Sequence, residues 1–208
     1  MQSSTRLSVI RQLRMVFTAL VVAAALGSGA IQPRASQAAP IGTFTVNVIT
    51  DLAGSNDANP GDGFCVTSGG DCTLRAAIEE ANAMIGENLI NFEPAVITVI
   101  VQTALPALSD ATGGTTIYGG EGSVYLQGTL TSAGTNGLTL SSNNNKIPGL
   151  DIIDFPGNGI VINGDSNVIG TDGDGLSDAA EHNVIRENSQ NGIQVNFGAD
   201  NNRIAGNR

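Results

Sequence analysis

Helical spacing of apolar residues occurs in one stretch of this chain. From Thr73 onward the apolar positions fall three and four residues apart, at Leu74, Ala77, Ile78, Ala81 and Ile85. Asp71 or Thr73 can accept hydrogen bonds from the first free amides, Glu79 and Glu80 lie early in the helix, and Gly86 ends it. The other face is polar. A helix of about thirteen residues is too short to persist alone, so we predict that its apolar stripe covers something; an ordinary surface helix is the alternative.

Short apolar runs separated by glycine and proline occupy much of the rest of the chain. The run at 44–49 alternates apolar and polar residues, with Phe44, Val46 and Val48 facing inward. The later runs are Leu89–Phe92, Val96–Val101, Leu105–Leu108, Thr115–Tyr118 and Val124–Leu126. No second helical stretch lies between them. The pattern predicts short strands that alternate with corners.

A repeat begins at Asn136. The segment 136–140 recurs at 158–162 and 191–195, and the segment 144–147 recurs at 166–169 and 201–204. The first step is 22 residues in both series, and the second is 33 or 35, which leaves room for an insertion at 171–181. A period near twenty residues indicates a solenoid.

The residue types of the repeat favour one kind of solenoid. A leucine-rich repeat has a similar period but needs leucine at several fixed positions, whereas these units use isoleucine and valine with asparagine and glycine. Asparagine at corners can occupy left-handed backbone and stack its amide between coils. We therefore predict an all-β fold, a right-handed parallel β-helix with three short strands per coil. Because the ends of such a fold are exposed sheet edges, the predicted helix is expected to cap the first coil.

The N-terminal segment has the pattern of an export signal. It combines basic residues, an uncharged run and small residues before a cleavage site: Arg6, Arg11, Arg14, Met15–Leu26, Ser36 and Ala38. The apolar run is shorter than the roughly twenty residues that a membrane span needs. We predict a secretory signal peptide at 1–38, and a mature chain from Ala39 without a transmembrane segment.

Charge narrows the choice of partner. The predicted mature chain retains five arginines and lysines against nineteen acidic residues, a net charge of −14. Such a chain cannot neutralise a phosphate backbone, so we expect no nucleic-acid partner. Acidic excess suits an extracellular protein and divalent cations, although alone it is usually a solvated surface.

The two cysteines, Cys65 and Cys72, lie seven residues apart. In an exported chain such a pair indicates a disulfide, and Gly69 and Gly70 allow the chain between them to turn back. The alternative, a metal site, is poor because no further cysteine or histidine lies nearby. We predict a bridge that ties this loop to the start of the helix.

The segment Cys72–Ile78, with the sequence CTLRAAI, and the EEANA that follows it resemble the CSLREA domain of secreted bacterial right-handed β-helix proteins. The segments 47–65, 105–106 and 117–120 fit the same domain, and the asparagine-glycine units resemble the repeats that follow it. The resemblance implies an extracellular or cell-surface solenoid and supplies no catalytic residues. Thr73 replaces serine, and Ala76 replaces the glutamate that would complete a capping box.

The resemblance and the repeat together divide the mature chain. Residues 39–130 are expected to form a CSLREA-like cap with the first coils, and residues 131–208 the β-helix repeats. Because the segment 201–208 starts another corner and stops there, we expect the protein to continue beyond it.

The most chemically suggestive residues lie in the insertion. Matched to a twelve-residue calcium loop, Asp172, Asp174, Asp178 and Glu181 take positions 3, 5, 9 and 12, and the Leu176 carbonyl takes position 7. Position 1 is a glycine without a side-chain oxygen, and helices flank neither side. The sequence leaves two interpretations open, a weak calcium site and a solvated acidic loop.

The residue patterns that would indicate catalysis are weaker than the calcium-loop pattern. Asp151 and Asp154 are expected on opposite faces of a strand, whereas a glycoside hydrolase needs two carboxylates on one face. Arg186 is the candidate base for a polysaccharide lyase near the insertion, and an ion pair is its alternative; His182 has no serine or cysteine partner. We therefore expect a secreted, non-catalytic surface or adhesion module for extracellular glycans or cell-surface components. A carbohydrate-active enzyme, lyase or hydrolase, is the alternative.

Overall fold

Parallel strands form most of the regular structure in the computed structural model, which describes residues 42–120 and 124–208. The elements are β1 (Gly42–Val46), β2 (Thr50–Asp51), α1 (Leu74–Ala83), β3 (Asn88–Phe92), β4 (Thr98–Val101), β5 (Thr115–Ile117), β6 (Val124–Gln127), β7 (Leu138–Leu140), β8 (Lys146–Ile147), β9 (Leu150–Ile153), β10 (Ile160–Ile162), β11 (Val168–Gly170), β12 (Val184–Arg186), β13 (Ile193–Val195) and β14 (Arg203–Ala205). The predicted signal peptide lies outside the described residues. Within them, no helix has the length and apolar character to cross a membrane.

The strands form three parallel sheets. The six-stranded sheet has the order β1-β3-β5-β8-β11-β14, the five-stranded sheet β2-β4-β6-β9-β12, and the three-stranded sheet β7-β10-β13. From β6 onward the chain visits the five-stranded, three-stranded and six-stranded sheets in this constant order. Each return adds a strand beside the previous one, which confirms the strand-rich parallel fold that the sequence predicts.

Strand register follows the sequence repeat. Ile160 of β10 lies between Leu138 and Ile193, and Val168 of β11 lies between Lys146 and Arg203. These are the residues that the repeat alignment makes equivalent, with steps of 22 and then 33 or 35 residues. A pair of polar residues lies at the corner before each of β8, β11 and β14: Asn144-Asn145, Ser166-Asn167 and Asn201-Asn202. The first residue of each pair has left-handed backbone, with φ of 61°, 58° and 58° at Asn144, Ser166 and Asn201. The left-handed conformation predicted for the corners is therefore present.

The second residue of each pair builds a ladder of amides inside the fold. The Oδ1 atom of Asn145 accepts a hydrogen bond from the backbone amide of Thr115 at 2.9 Å. Asn167 accepts in the same way from the Asn145 amide, and Asn202 from the Asn167 amide, both at 2.8 Å. Asn145 and Asn167 are fully buried. The ladder satisfies backbone donors that have no partner within a strand, so each rung fixes the position of its neighbour.

A second ladder follows the three-stranded sheet, and its hydrogen bonds run in the opposite direction along the chain. Here the backbone amides of Asn158 and Asn191 donate to Oδ1 of the preceding asparagine, at 2.8 Å and 3.0 Å. The first acceptor is Asn136. The asparagines that recur in the sequence therefore have a structural role between successive strands.

Helix α1 packs its apolar side against the first strands of the six-stranded sheet. It contacts β1 and β3, and the residues of the predicted stripe from Leu74 to Ala81 are buried. Thr73 is the N-cap, and its hydroxyl accepts from the Ala76 amide at 3.1 Å. The helix ends at Ala83, so the prediction that Ile85 belongs to the stripe is wrong; that side chain is 73 % exposed.

The face of α1 predicted to be polar is also covered. Glu80 is fully buried, and its carboxylate accepts hydrogen bonds from the backbone amides of Gly61 and Gly63. Glu79 accepts from the Asp57 amide at 2.8 Å. The loop between β2 and α1 therefore lies over this face, and backbone donors replace the water that the two carboxylates would otherwise bind. Sequence periodicity does not reveal such a loop.

An ion pair holds the start of α1 to β2. Asp51, fully buried, accepts from the Arg75 backbone amide at 2.7 Å and from Nε of the same residue at 3.1 Å. The Arg75 guanidinium also donates to Thr103, at 2.8 Å to its hydroxyl and 3.0 Å to its carbonyl. Burial raises the pKa of Asp51 above its ordinary value, and the contacts with Arg75 oppose that rise.

The cysteine pair lies beside this helix. The Cys65 and Cys72 sulfur atoms are at disulfide distance, with the Cα atoms 5.2 Å apart, as the sequence predicts. Since Cys72 directly precedes the N-cap, the bridge fixes the loop to the start of the helix.

Two predicted strands differ from the structure. β1 ends at Val46, and Val48 beyond it is only half-buried. The run 105–108 contributes one isolated bridge, from Leu108 to Leu140 in β7. Pro106 lies within this run and has no amide hydrogen to donate to a sheet, which explains why the run forms no strand.

Candidate functional site

The acidic insertion lies between β11 and β12. The chain leaves the six-stranded sheet after Gly170 and enters the five-stranded sheet at Val184. The register of both strands is that of the uninterrupted repeat, because Val168 pairs with Lys146 and Val184 pairs with Asp151. The additional residues therefore form a loop that stands outside the sheets.

Three of the predicted calcium ligands come together in this loop. Carboxylate oxygens of Asp172, Asp174 and Asp178 lie within 4.8 Å of one another. Backbone amides hold two of them in place: the Asp174 amide donates to Asp172 at 3.1 Å, and the Leu176 amide donates to Asp174 at 2.7 Å. The Thr171 hydroxyl donates to Asp178 at 2.7 Å. The loop thus presents hard oxygen atoms, the donor type that Ca²⁺ and Mg²⁺ prefer.

The fourth predicted carboxylate has a different position. Glu181 accepts a hydrogen bond from the Asp172 amide at 3.1 Å and closes the base of the loop. Its carbonyl accepts from the Gly149 amide at 3.1 Å, which attaches the loop to the corner before β9. Leu176, whose carbonyl was the fifth predicted ligand, has a side chain that is 56 % exposed.

The cation that contacts the insertion is Arg203. Its Nε donates to the Thr171 carbonyl at 2.9 Å, and a Cβ atom at Gly173 would lie 2.5 Å from its guanidinium. Arg186, the residue that sequence reasoning favoured here, pairs instead with Glu187 at 2.7 Å in an exposed position. The repeat alignment contains the signal that was missed, since Arg203 aligns with Val168, two residues before the end of β11.

The carboxylates predicted to lie on opposite faces share one face. Asp151 pairs in register with Tyr125, and the alternating burial of β6 directs Tyr125 and Gln127 outward. Asp154 has a φ of 60°, which ends the strand alternation, and it accepts from the Gln127 side chain at 3.3 Å. The prediction of opposite faces is therefore wrong, because it assumed that the strand continues to Asp154.

His182 lies against the last described turn. A Cβ atom at Gly206 would be 2.7 Å from its ring, so histidine and glycine are in close contact.

No protein-family model, curated protein or solved structure matches this chain. The arguments for its function therefore rest on its own residues.

Two regions carry the chemistry that these residues allow. The insertion can offer three carboxylates to a divalent cation, with the Arg203 guanidinium beside the same loop. The outward face of the five-stranded sheet carries an aromatic ring, an amide and two carboxylates, and one of the carboxylates, that of Asp151, belongs to a buried residue that is 7 % exposed. These four groups belong to Tyr125, Gln127, Asp151 and Asp154.

Proposed function

We propose that the three parallel sheets wind into a right-handed β-helix in which residues 39–130 are a CSLREA-like cap with the first coils and residues 131–208 are repeats. The cyclic order of the sheets and the asparagine ladders support this architecture, and right-handed connections are the rule between parallel strands. A second copy of residues 138–159, one 22-residue unit, should then add a coil and raise the free energy of unfolding. A second copy of residues 138–148 alone should disrupt folding. Equal tolerance of both insertions would contradict a solenoid.

The cap has a test of its own. Leu74 is 1 % exposed between α1 and the first strands, so Leu74→Asp should detach the helix and expose a sheet edge that promotes aggregation. Ile85→Asp is the matched control, because that side chain is 73 % exposed. Light scattering of the two variants would distinguish them, and an unchanged monomer for Leu74→Asp would argue against a cap.

The function supported best is a non-catalytic surface or adhesion module that is exported and binds extracellular glycans or other cell-surface components. The observation that carries it is the insertion, which leaves the sheets without changing their register and so presents a loop on a continuous hydrogen-bonded scaffold. The disulfide is in keeping with an oxidising compartment. N-terminal sequencing of secreted protein should begin at Ala39.

Binding and turnover assays test this function together. The chain from residue 39 should bind immobilised glycans or bacterial cells and leave them unchanged. Pectin, alginate and neutral polysaccharides should release neither unsaturated nor reducing ends. Turnover that Arg186→Ala abolishes would favour a lyase and overturn the proposal.

The second candidate, a glycoside hydrolase, is favoured by one observation. Asp151, which is 7 % exposed, and Asp154 both lie on the outward face of the five-stranded sheet, and such enzymes need two carboxylates on one face. Release of reducing ends that disappears in both Asp151→Asn and Asp154→Asn, with folding retained, would establish this activity in place of simple adhesion.

Calcium is the cofactor that the insertion fits best. Asp172, Asp174 and Asp178 would hold it, and the ion would supply a fixed positive charge that orders the loop. Since three carboxylates are fewer than the six to eight oxygen ligands that Ca²⁺ takes, we expect weak binding. Isothermal titration with calcium should give heat that Asp174→Asn reduces. An equal reduction of the heat by Asp165→Asn, outside the loop, would indicate nonspecific binding to an acidic surface.

A further inference from the structure

A cleft of about 370 Å³ opens between two successive corners of the fold. One corner follows β3 and the other follows β5, and the walls include Asn91, Phe92, Glu93, Ile97 and Tyr118. Its volume is in the range of small-molecule sites, which begins near 300 Å³. Its described lining includes neither the carboxylates of the acidic insertion nor those of the five-stranded sheet.

Strand register brings the polar and aromatic groups of this cleft together. Ile90 of β3 pairs with Ile117 of β5, so the next residues, Asn91 and Tyr118, are neighbours on the outward side. The Tyr118 amide donates to the Ile90 carbonyl at 2.9 Å and extends this register by one residue. Both outward residues are half-buried, which fixes their side chains more firmly than those on an exposed loop.

The groups that line the cleft suit a ring that carries hydroxyl groups. Phe92, Tyr118 and the 66 % exposed Ile97 provide an apolar and aromatic wall for the C–H face of a sugar. The Tyr118 hydroxyl can donate and accept, and the Glu93 carboxylate accepts. Asn91 differs from the ladder asparagines because its Oδ1 atom, which is buried, has no hydrogen-bond partner among the described residues.

The negative charge of the cleft favours neutral sugars over acidic ones. Among the described residues, the lining contains the Glu93 carboxylate and no arginine or lysine. The chain from residue 39 has a net charge of −14, from five basic and nineteen acidic residues. A uronate would therefore enter without a counter-ion beside an existing negative charge. We infer that this cleft binds one or two units of a neutral saccharide, an inference that rests on the proposed function and names its ligand class.

The tyrosine content of the chain provides the assay. The sequence has two tyrosines and no tryptophan, so Tyr125→Phe leaves Tyr118 as the single tyrosine emitter. Cellobiose, maltose, lactose and N,N′-diacetylchitobiose should each be titrated into this variant, with digalacturonate as the acidic counterpart. Neutral disaccharides that bind should change the emission, with a dissociation constant on the order of 1 mM.

Two variants test the assignment within the same chain. Asn91→Leu, combined with Tyr125→Phe, should weaken neutral disaccharide binding at least tenfold with little change in the thermal unfolding midpoint. Glu93→Lys should admit digalacturonate, a gain that a purely structural role of Glu93 would not produce. Phe197→Ala, at an exposed ring that does not line the cleft, should leave binding unchanged when it is measured by saturation-transfer NMR.

The outcomes distinguish this inference from the proposed function. No emission change with any neutral disaccharide, equal binding by Asn91→Leu, or digalacturonate binding as tight as that of neutral sugars would each overturn the cleft assignment. If adhesion to glycans persists in that case, the proposed function stands without this site. Disaccharide binding in the cleft without adhesion to any glycan surface would leave the inference intact and remove the adhesion function.

Discussion

The buried asparagine ladder gives the sharpest stability prediction. In Asn145→Ala, the Thr115 amide loses the acceptor that lies 2.9 Å away, and the Ser142 carbonyl loses the donor that lies 2.9 Å away. Asn145 is fully buried, so water does not replace these partners without rearrangement. Each buried polar group left without a partner costs about 1–3 kcal/mol, so we expect a loss of about 3 kcal/mol in the free energy of unfolding. Marginal stability makes this a large fraction of the total.

Urea unfolding followed by circular dichroism measures this loss, since the chain has no tryptophan. The control is Asn163→Ala, an exposed asparagine whose bonds are to the side chains of Ser141 and Asn196; its effect should be within about 0.5 kcal/mol. Asn145→Leu separates hydrogen bonding from volume, because leucine fills the space and leaves the same backbone groups unpaired. Full stability in the leucine variant, or equal losses at positions 145 and 163, would refute the role of the ladder.

Three further predictions concern the contacts that hold the start of α1. Arg75→Met leaves the buried Asp51 carboxylate without its guanidinium and should destabilise the fold by about 3–5 kcal/mol in urea unfolding, whereas Arg186→Met, at an exposed pair, should have little effect. Because burial raises the pKa of Asp51, its contribution to stability is complete below the unfolded-state pKa near 3.9 and falls as pH rises through the folded-state pKa. The stability difference between the unmodified chain and Asp51→Asn should therefore decrease from low pH upward, and an increase would contradict this sign. Reduction of the Cys65–Cys72 bridge, which closes a loop of separation 7, should cost about 2.5 kcal/mol; an unfolding midpoint insensitive to reductant would contradict it.

The repeat was the most predictable part of the fold. Asparagine and β-branched residues recur at fixed spacing because each unit meets the same neighbours, so alignment of the sequence with itself gave the register of β7, β10 and β13 and of β8, β11 and β14. The disulfide was predictable because the chain has two cysteines. The helix was predictable from its period, and its N-cap, Thr73, was one of two candidates with Asp71.

Features that depend on contacts between distant segments were not predictable. Glu80 is polar in any sequence pattern, and its burial follows from the loop between β2 and α1, which contains Gly63 and has no periodicity. The face of Asp154 depends on one left-handed residue at the end of a strand. The part of the candidate site that could be predicted was its list of carboxylates, since ligand type can be read from residue type. The repeat alignment places Arg203 beside Val168, but its contact with Thr171 depends on the conformation of the loop.

The insertion between β11 and β12 shows that distance along the chain and position in the sheets are independent in this fold. Neighbouring asparagines and paired strands determine where each return of the chain lies, so a corner can change length without moving the strands on either side. A Cβ atom at Gly175, which has a φ of 80°, would have no other atom within 4 Å. A foreign peptide epitope inserted beside this glycine would therefore extend into open space. Corners of this type allow a lineage to diversify its surface while the core sequence remains the same.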